Sequence, residues 1–161
     1  MWRAMRDADL AGVVRVAAAS FPDHFESLAC FAERLALSPD LCFALELEGA
    51  VEGYLIAYPW QLGQIPPLNS LLGGLPADRE NVYLHDLALA PAARGGGHTR
   101  TVVEALARAA HSLGAATLSL VSVNDSQAFW RGMGFRVEQS DALAVKLASY
   151  GPDARYMVRP L

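Results

Sequence analysis

Two short stretches of this chain carry residue types that do chemistry. One is Arg94-Gly95-Gly96-Gly97-His98-Thr99-Arg100, three glycines bracketed by two arginines. The other is His85-Asp86, two proton-carrying side chains a few residues upstream. Glycines lack Cβ, so a bulky anion can approach their backbone closely. A helix start leaves four backbone N–H groups without intrahelical partners, and these carry partial positive charge. Arg94 and Arg100 add full charges beside them. The chemistry of such a stretch is anion binding, and a pyrophosphate suits it. A histidine or carboxylate nearby supplies proton transfer.

The glycines work this way only between a strand and a helix. Tyr83 to Leu89 predicts a strand, and Thr101 to Leu113 predicts an amphipathic helix with Val102, Leu106, Ala109 and Leu113 on one face. Two nucleotide sites share this layout, and neither fits. The dinucleotide fingerprint G-x-G-x-x-G needs a third glycine where Arg100 stands, and an acidic residue about 20 residues on. Ala115 to Val123 holds no acidic residue. The ATP-type loop ends in Gly-Lys-[Ser/Thr], and no lysine follows these glycines.

The stretch resembles the pyrophosphate loop of the GNAT acyl-CoA-dependent N-acyltransferases, [QR]-x-x-G-x-[GA]. It matches at Arg94 and Gly97, with Thr99 where the family has Gly or Ala. Leu87-Ala-Leu89-Ala-Pro91 resembles the family's strand-then-proline lead-in. Asn124-Asp-Ser-Gln-Ala-Phe-Trp-Arg-Gly-Met-Gly-Phe135 is similar to the second family signature, a helix with an aromatic pair shortly before Gly-Phe. The pair here is Phe129-Trp130, and Trp130 replaces the usual tyrosine.

The resemblance implies direct attack of an amine on the thioester of acyl-CoA, most simply acetyl-CoA. Arg94, Gly95, Gly96, Gly97, Thr99 and Arg100 would cradle the pyrophosphate. The strands Tyr83 to Leu89 and Ala115 to Val123 would splay apart. Backbone groups of Leu87 and Leu89 would pair with the pantetheine amides as a pseudo-strand. An N–H near Leu87 would face the thioester oxygen. Asn124 and Ser126 would bond the CoA arm or, more plainly, cap a helix. Trp130 would pack on pantetheine or fill core, because an indole N–H is no practical acid at neutral pH.

The base should lie just upstream, at His85 or Asp86. Side chains alternate along a regular strand, so only one of the two can face the substrate. His85 is the first candidate and Asp86 the second. The acceptor pocket would draw on Phe21, Phe25, Tyr58, Trp60 and Tyr83 beside His85. Such rings favour a small apolar or aromatic primary amine, although they suit core packing equally. Two other readings stay open: a non-catalytic acyl-CoA-binding module, and an acetyltransferase acting on a protein N-terminus or lysine.

The remaining elements must carry these residues. We expect one α/β domain over residues 1–161, a mixed twisted sheet of six to seven strands flanked by helices in the order β-α-α-β-β-β-α-β-α-β-β. Met1 to Met5 predicts the first strand. Asp7 is a plausible cap for a helix over Ala8 to Ala19. A second helix spans Phe25 to Leu37 with Leu28, Phe31 and Leu35 inward. Leu41 to Glu48 and Val51 to Tyr58 predict a hairpin about Gly49. Asn124 to Met133 predicts a short helix. Phe135 to Gln139, Leu143 to Ala148 and Arg155 to Arg159 read as closing strands. Pro59 to Glu80 lacks periodicity but is rich in apolar residues, which suits a wall over the acceptor pocket or a flap on the sheet or on a second copy, as in a homodimer.

A net charge of −4 without a basic run argues against a nucleic-acid partner. No apolar run is long enough to span a membrane, and no signal-peptide core forms at the N-terminus. Cys30 and Cys42 lie on apolar segments and suit core packing in a reducing compartment, so we expect a cytoplasmic protein. His24, His85, His98 and His111 lack ligand spacing, so we expect no metal site.

Overall fold

The computed structural model describes residues 1–161. Seven strands form one sheet in the order β1-β2-β3-β4-β5-β7-β6. They are β1 (Trp2–Ala4), β2 (Cys42–Leu47), β3 (Ala50–Pro59), β4 (Asn81–Leu89), β5 (Thr117–Ser122), β6 (Arg136–Glu138) and β7 (Arg155–Pro160). All neighbours are antiparallel except β4 and β5, which run parallel. Five helices flank them: α1 (Leu10–Ser20), α2 (Leu28–Leu37), α3 (His98–Ser112), α4 (Gln127–Gly132) and α5 (Asp141–Leu147).

Apolar residues on both sheet faces explain the layering. Tyr54 to Tyr58 in β3 are all fully buried. Tyr54, Ile56 and Tyr58 face α1, α2 and the 59–80 segment, whereas Leu55 and Ala57 face α3. A strand buried on both faces reads as a continuous apolar run rather than an alternation. The β2–β3 hairpin turns at Glu48 and Gly49, both at positive φ as a tight hairpin requires.

Several expected boundaries move. Leu143 to Ala148 lies mainly in α5, not a strand; the Ser140 side chain caps that helix by accepting from the Leu143 N–H. Helix α2 starts at Leu28, because Ser27 takes its cap position and accepts from the Cys30 N–H. Phe25 is therefore left in the preceding loop, and Leu28 is exposed rather than inward. Asp9, not Asp7, precedes α1; its carboxylate binds the Arg3 guanidinium and the Arg6 N–H. In α3 the inward set is Val102, Val103, Leu106, Ala107 and Ala110, while Leu113 is exposed. The helix begins three residues earlier than expected, at His98, and ends at Ser112.

Beyond Pro59, which ends β3, the 59–80 segment has no regular secondary structure, yet it is tied down along its length. Glu33 of α2 accepts from the Leu72 and Gly73 N–H groups at 2.6 and 3.0 Å. Glu26 accepts from the Asn69 N–H, and the Asn69 side chain accepts from the Ser27 N–H. The Tyr150 hydroxyl donates to the Pro66 carbonyl at 2.5 Å. Trp60, Leu68, Leu72 and Leu75 pack on the core beneath. Cys30 and Cys42 are buried free thiols, and burial pushes the Cys42 thiol up to about 12.

Candidate active site

The parallel pair β4 and β5 stays together only at Asn81–Thr117, Val82–Leu118 and Tyr83–Ser119. Beyond Tyr83 the strands are no longer paired, while β5 stays paired along its whole length with β7 on its other side. A cavity fills the opening. Its floor is Leu84 and Leu87 of β4, Leu120 and Val121 of β5, and Trp130 of α4. Across from them stand Phe21, His24 and Glu26 of the α1–α2 loop, with Leu68 and Tyr150. The β4 edge beyond Tyr83 has no strand partner there, so its backbone can hydrogen-bond a ligand's amides.

The glycine stretch lies where β4 leads into α3. Gly97 caps α3 at φ 74° and Gly95 lies at φ 84°, both in the left-handed region. An L side chain there costs roughly 1–2 kcal/mol, which explains glycine at these two places. The Thr101 N–H is the first in α3 to find a helical acceptor, the Gly97 carbonyl. The N–H groups from Gly95 through Arg100 have no protein acceptor. A run of orphan donors at the positive end of a helix favours an anion. Arg94 is exposed beside it, its Nε donating to the Leu89 carbonyl. Arg100 is exposed and Thr99 half-buried on the first turn. The His98 ring folds back over Gly96.

His85 and Asp86 do not alternate. In the β3–β4 ladder Ile56 pairs with Asp86 and Ala57 with Leu84, so His85 is an extra residue. Such a bulge re-aims side chains. It turns His85 and Asp86 to the same sheet face, and both line the cavity. The expectation that only one can do so is thereby corrected.

Their surroundings differ. Glu26 accepts from Nη2 of Arg34 at 2.5 Å and from Nε2 of His85 at 2.7 Å. An ionised carboxylate only accepts, so Nε2 carries the hydrogen and Nδ1 accepts from the Tyr58 hydroxyl at 2.9 Å. Both ring nitrogens are engaged, and the side chain is 1% exposed. Burial, and then the Arg34 charge, push His85 below its ordinary value against the opposing pull of Glu26. The ring is neutral at neutral pH. Burial disfavours the Glu26 anion, but the hydrogen bonds from His85 and Arg34, with the Arg34 charge, prevail and hold it down to about 2. Arg34 is fully buried, with Nε and Nη1 unpartnered.

Asp86 accepts from the Tyr54 hydroxyl at 2.5 Å. Burial pushes its carboxyl up to about 7, the Tyr54 bond only partly opposing. A carboxylate that changes protonation near neutral pH inside a cavity is suited to proton transfer.

Of the other residues singled out in the sequence, Phe21, Leu87, Asn124, Ser126 and Trp130 line the cavity. Asn124 and Asp125 are both left-handed, making the sharp turn into α4. Ser126 occupies the helix-cap position but does not cap; its hydroxyl donates to the Val123 carbonyl. Trp130 packs edge-on to Phe129 and Phe135. Leu89 ends β4 beside Arg94. Tyr58 and Tyr83 are buried beneath the cavity and line none of it. Trp60 faces a separate groove under the 59–80 segment, and Phe25 is 67% exposed. Sequence reasoning passed over His24, Glu26, Leu68, Tyr54 and Tyr150. One signal was present: Arg34 sits on the apolar face of α2 between Phe31 and Leu35, and a buried guanidinium demands a buried carboxylate.

Residues 4–135 match the model of the acetyltransferase (GNAT) family. The chain belongs to that family. Its sheet with flanking helices is the fold of solved family structures. It superimposes on Ard1 from Thermoplasma volcanium with a TM-score of 0.76 at 15% identity, over 100% of this chain and 97% of that one. The GphF GNAT-like decarboxylase, solved with isobutyryl-CoA, gives 0.76 at 19% identity, over 99% and 98%. The PaiA N-acetyltransferase of Thermoplasma acidophilum, solved with coenzyme A, gives 0.71 at 13% identity, over 100% and 98%. No curated protein matches the sequence. No helix is long and apolar enough to cross a membrane.

Proposed function

We propose that this protein is a cytoplasmic N-acetyltransferase that moves an acetyl group from acetyl-CoA to a small primary amine. The observation that carries the reading is the opening between β4 and β5, lined by the Asp86 carboxyl, which burial pushes up to about 7. The orphan N–H groups from Gly95 to Arg100 suit the pyrophosphate at one end of that opening. The arm lies along the free β4 edge at Leu87 and Leu89, which brings the thioester into the cavity. A backbone N–H near Leu87 stabilises the developing oxyanion.

The amine enters between Phe21, Leu68 and Tyr150, and Asp86 takes a proton from its nitrogen. His85 holds Tyr58 and Glu26 in place rather than receiving that proton, since both its nitrogens are bonded. The thiolate leaves without help from Trp130 and is protonated from solvent. The pinned 59–80 segment walls this side through Leu68, which favours a small acceptor over a polypeptide segment.

Acetyl-CoA at 100 times its dissociation constant should add about 2.7 kcal/mol of stability, raising Tm by roughly 5–11 °C. A panel of amines should then release CoA, an apolar or aromatic amine fastest. No thermal shift with millimolar acetyl-CoA, together with a shift by NAD, sinks the reading. Binding of acetyl-CoA without turnover of any amine leaves an acyl-CoA-binding module instead.

Gly97→Val tests the cradle. A Cβ at Gly97 meets no atom within 4 Å, so the fold survives the substitution. The left-handed cap is strained for a β-branched residue, and the branch stands before the orphan donors. Acetyl-CoA affinity should fall by about tenfold or more, equivalent to about 1.4 kcal/mol. Unchanged affinity in calorimetry of the folded variant places the pyrophosphate elsewhere.

A further inference from the structure

The cavity holds two histidines, and they differ in what their ring nitrogens are free to do. Both nitrogens of His85 are bonded to Tyr58 and Glu26. His24, in the α1–α2 loop, lines the same cavity and is half-buried. Its Nε2 lies 3.0 Å from the Tyr150 carbonyl. A carbonyl only accepts, so Nε2 carries the hydrogen, and in the neutral ring the lone pair is on Nδ1. No protein donor meets Nδ1. The ring also stacks on Tyr150 at 6.5 Å, and the His24 N–H donates to the Phe21 carbonyl. The imidazole is thus held by backbone and ring, with one tautomer fixed and one basic nitrogen unused. A base oriented by a second group is the arrangement that activates nucleophiles in many enzymes.

The chemistry has need of such a group. An ammonium loses two protons from nitrogen on its way to an amide. The first leaves before the lone pair can attack the thioester carbon. The second leaves after the N–C bond has formed, as the C–S bond breaks and its electron pair departs on sulfur. Asp86 accommodates one of these protons. We propose that Nδ1 of His24 takes the other, making His24 a catalytic residue of the acceptor site. The imidazolium then returns its proton to solvent or to the departing thiolate, so one proton is released per amide formed. The groups around His24 are Asp23 and Glu26 on its own loop, His85 and Asp86 from β4, and Tyr150, with Arg34 behind Glu26.

This inference rests on the N-acetyltransfer reading, and one set of measurements separates the two. In His24→Gln the amide N–H can keep the bond to the Tyr150 carbonyl, but no basic nitrogen remains. With the best amine of the panel, kcat/KM should fall by about 10²-fold. Added imidazole should restore part of the rate to His24→Ala. The acetyl-CoA thermal shift should stay at the wild-type value. Wild-type kcat/KM in His24→Gln overturns the proposal while leaving N-acetyltransfer intact. A wild-type protein that binds acetyl-CoA and turns over no amine overturns both.

Discussion

Asp86→Asn is expected to lower turnover by about 10²-fold or more, the usual cost of losing a general base. The substitution is nearly isosteric, and the asparagine carbonyl can still accept from the Tyr54 hydroxyl, so the fold and acetyl-CoA binding should persist. Activity of the wild type should rise with pH through about 7, where Asp86 ionises, and the variant should lack that rise. Stability should move the opposite way. The folded-state value of Asp86 lies above its ordinary value, so its contribution to stability is present at low pH. That contribution is lost as pH rises from about 4 through about 7. Asp86→Asn should therefore be more stable than wild type at pH 8, with the difference closing at pH 4. A folded Asp86→Asn with wild-type turnover assigns the proton to another group.

Glu26→Ala is expected to be the most damaging single change to the fold. The Glu26 side chain is 4% exposed and holds Arg34, His85 and the Asn69 N–H at once. Arg34 already has two unpartnered nitrogens; without Glu26 its buried charge has no partner. Removing one member of a buried pair costs about 3–5 kcal/mol. For a chain of this length that lowers Tm by roughly 6–20 °C. The Glu26 carboxyl is depressed in the folded state, so its contribution is present above about pH 4.5. It fades as pH falls towards about 2, and the gap between variant and wild type should narrow there. Replacing both partners, as in Glu26→Leu with Arg34→Leu, should recover part of the loss, since an apolar pair leaves no buried charge. Thermal unfolding of the single and double variants decides the matter. A loss below about 1 kcal/mol in Glu26→Ala means that Arg34 finds water or another acceptor.

The same carboxylate anchors the cavity wall. Its bonds reach α2, β4 and the 59–80 segment, so three elements around the cavity share one buried ion pair.

The sequence by itself determined the glycine turn, the strand before it and the helix after it. These features are local. Left-handed glycines, helix caps and apolar periodicity act over a few residues, so Gly95, Gly97 and the inward Val102 and Leu106 of α3 were legible in the chain, whereas Ala109 and Leu113 lie off its buried face. The order of elements followed from the same local signals, apart from α5. There the Ser140 cap prevailed over an apolar stretch that also suits a strand.

Which side chains meet in the cavity was decided by tertiary structure. Alternation along β4 placed His85 and Asp86 on opposite faces, and one extra residue in the β3–β4 ladder put them on the same one. A bulge is a property of two strands in register, so nothing within Tyr83 to Leu89 announces it. Glu26 and His85 are 59 residues apart, and His24 and Tyr150 are 126 apart. Contacts at such separations arise from packing after the sheet has formed. The aromatic residues chosen for the acceptor pocket illustrate the same limit. Tyr58, Tyr83 and Trp60 are apolar enough for a pocket or a core, and the fold buries the two tyrosines and turns Trp60 to a separate groove. Composition sets how much apolar surface must be buried; the fold sets which of it borders the space left open between β4 and β5.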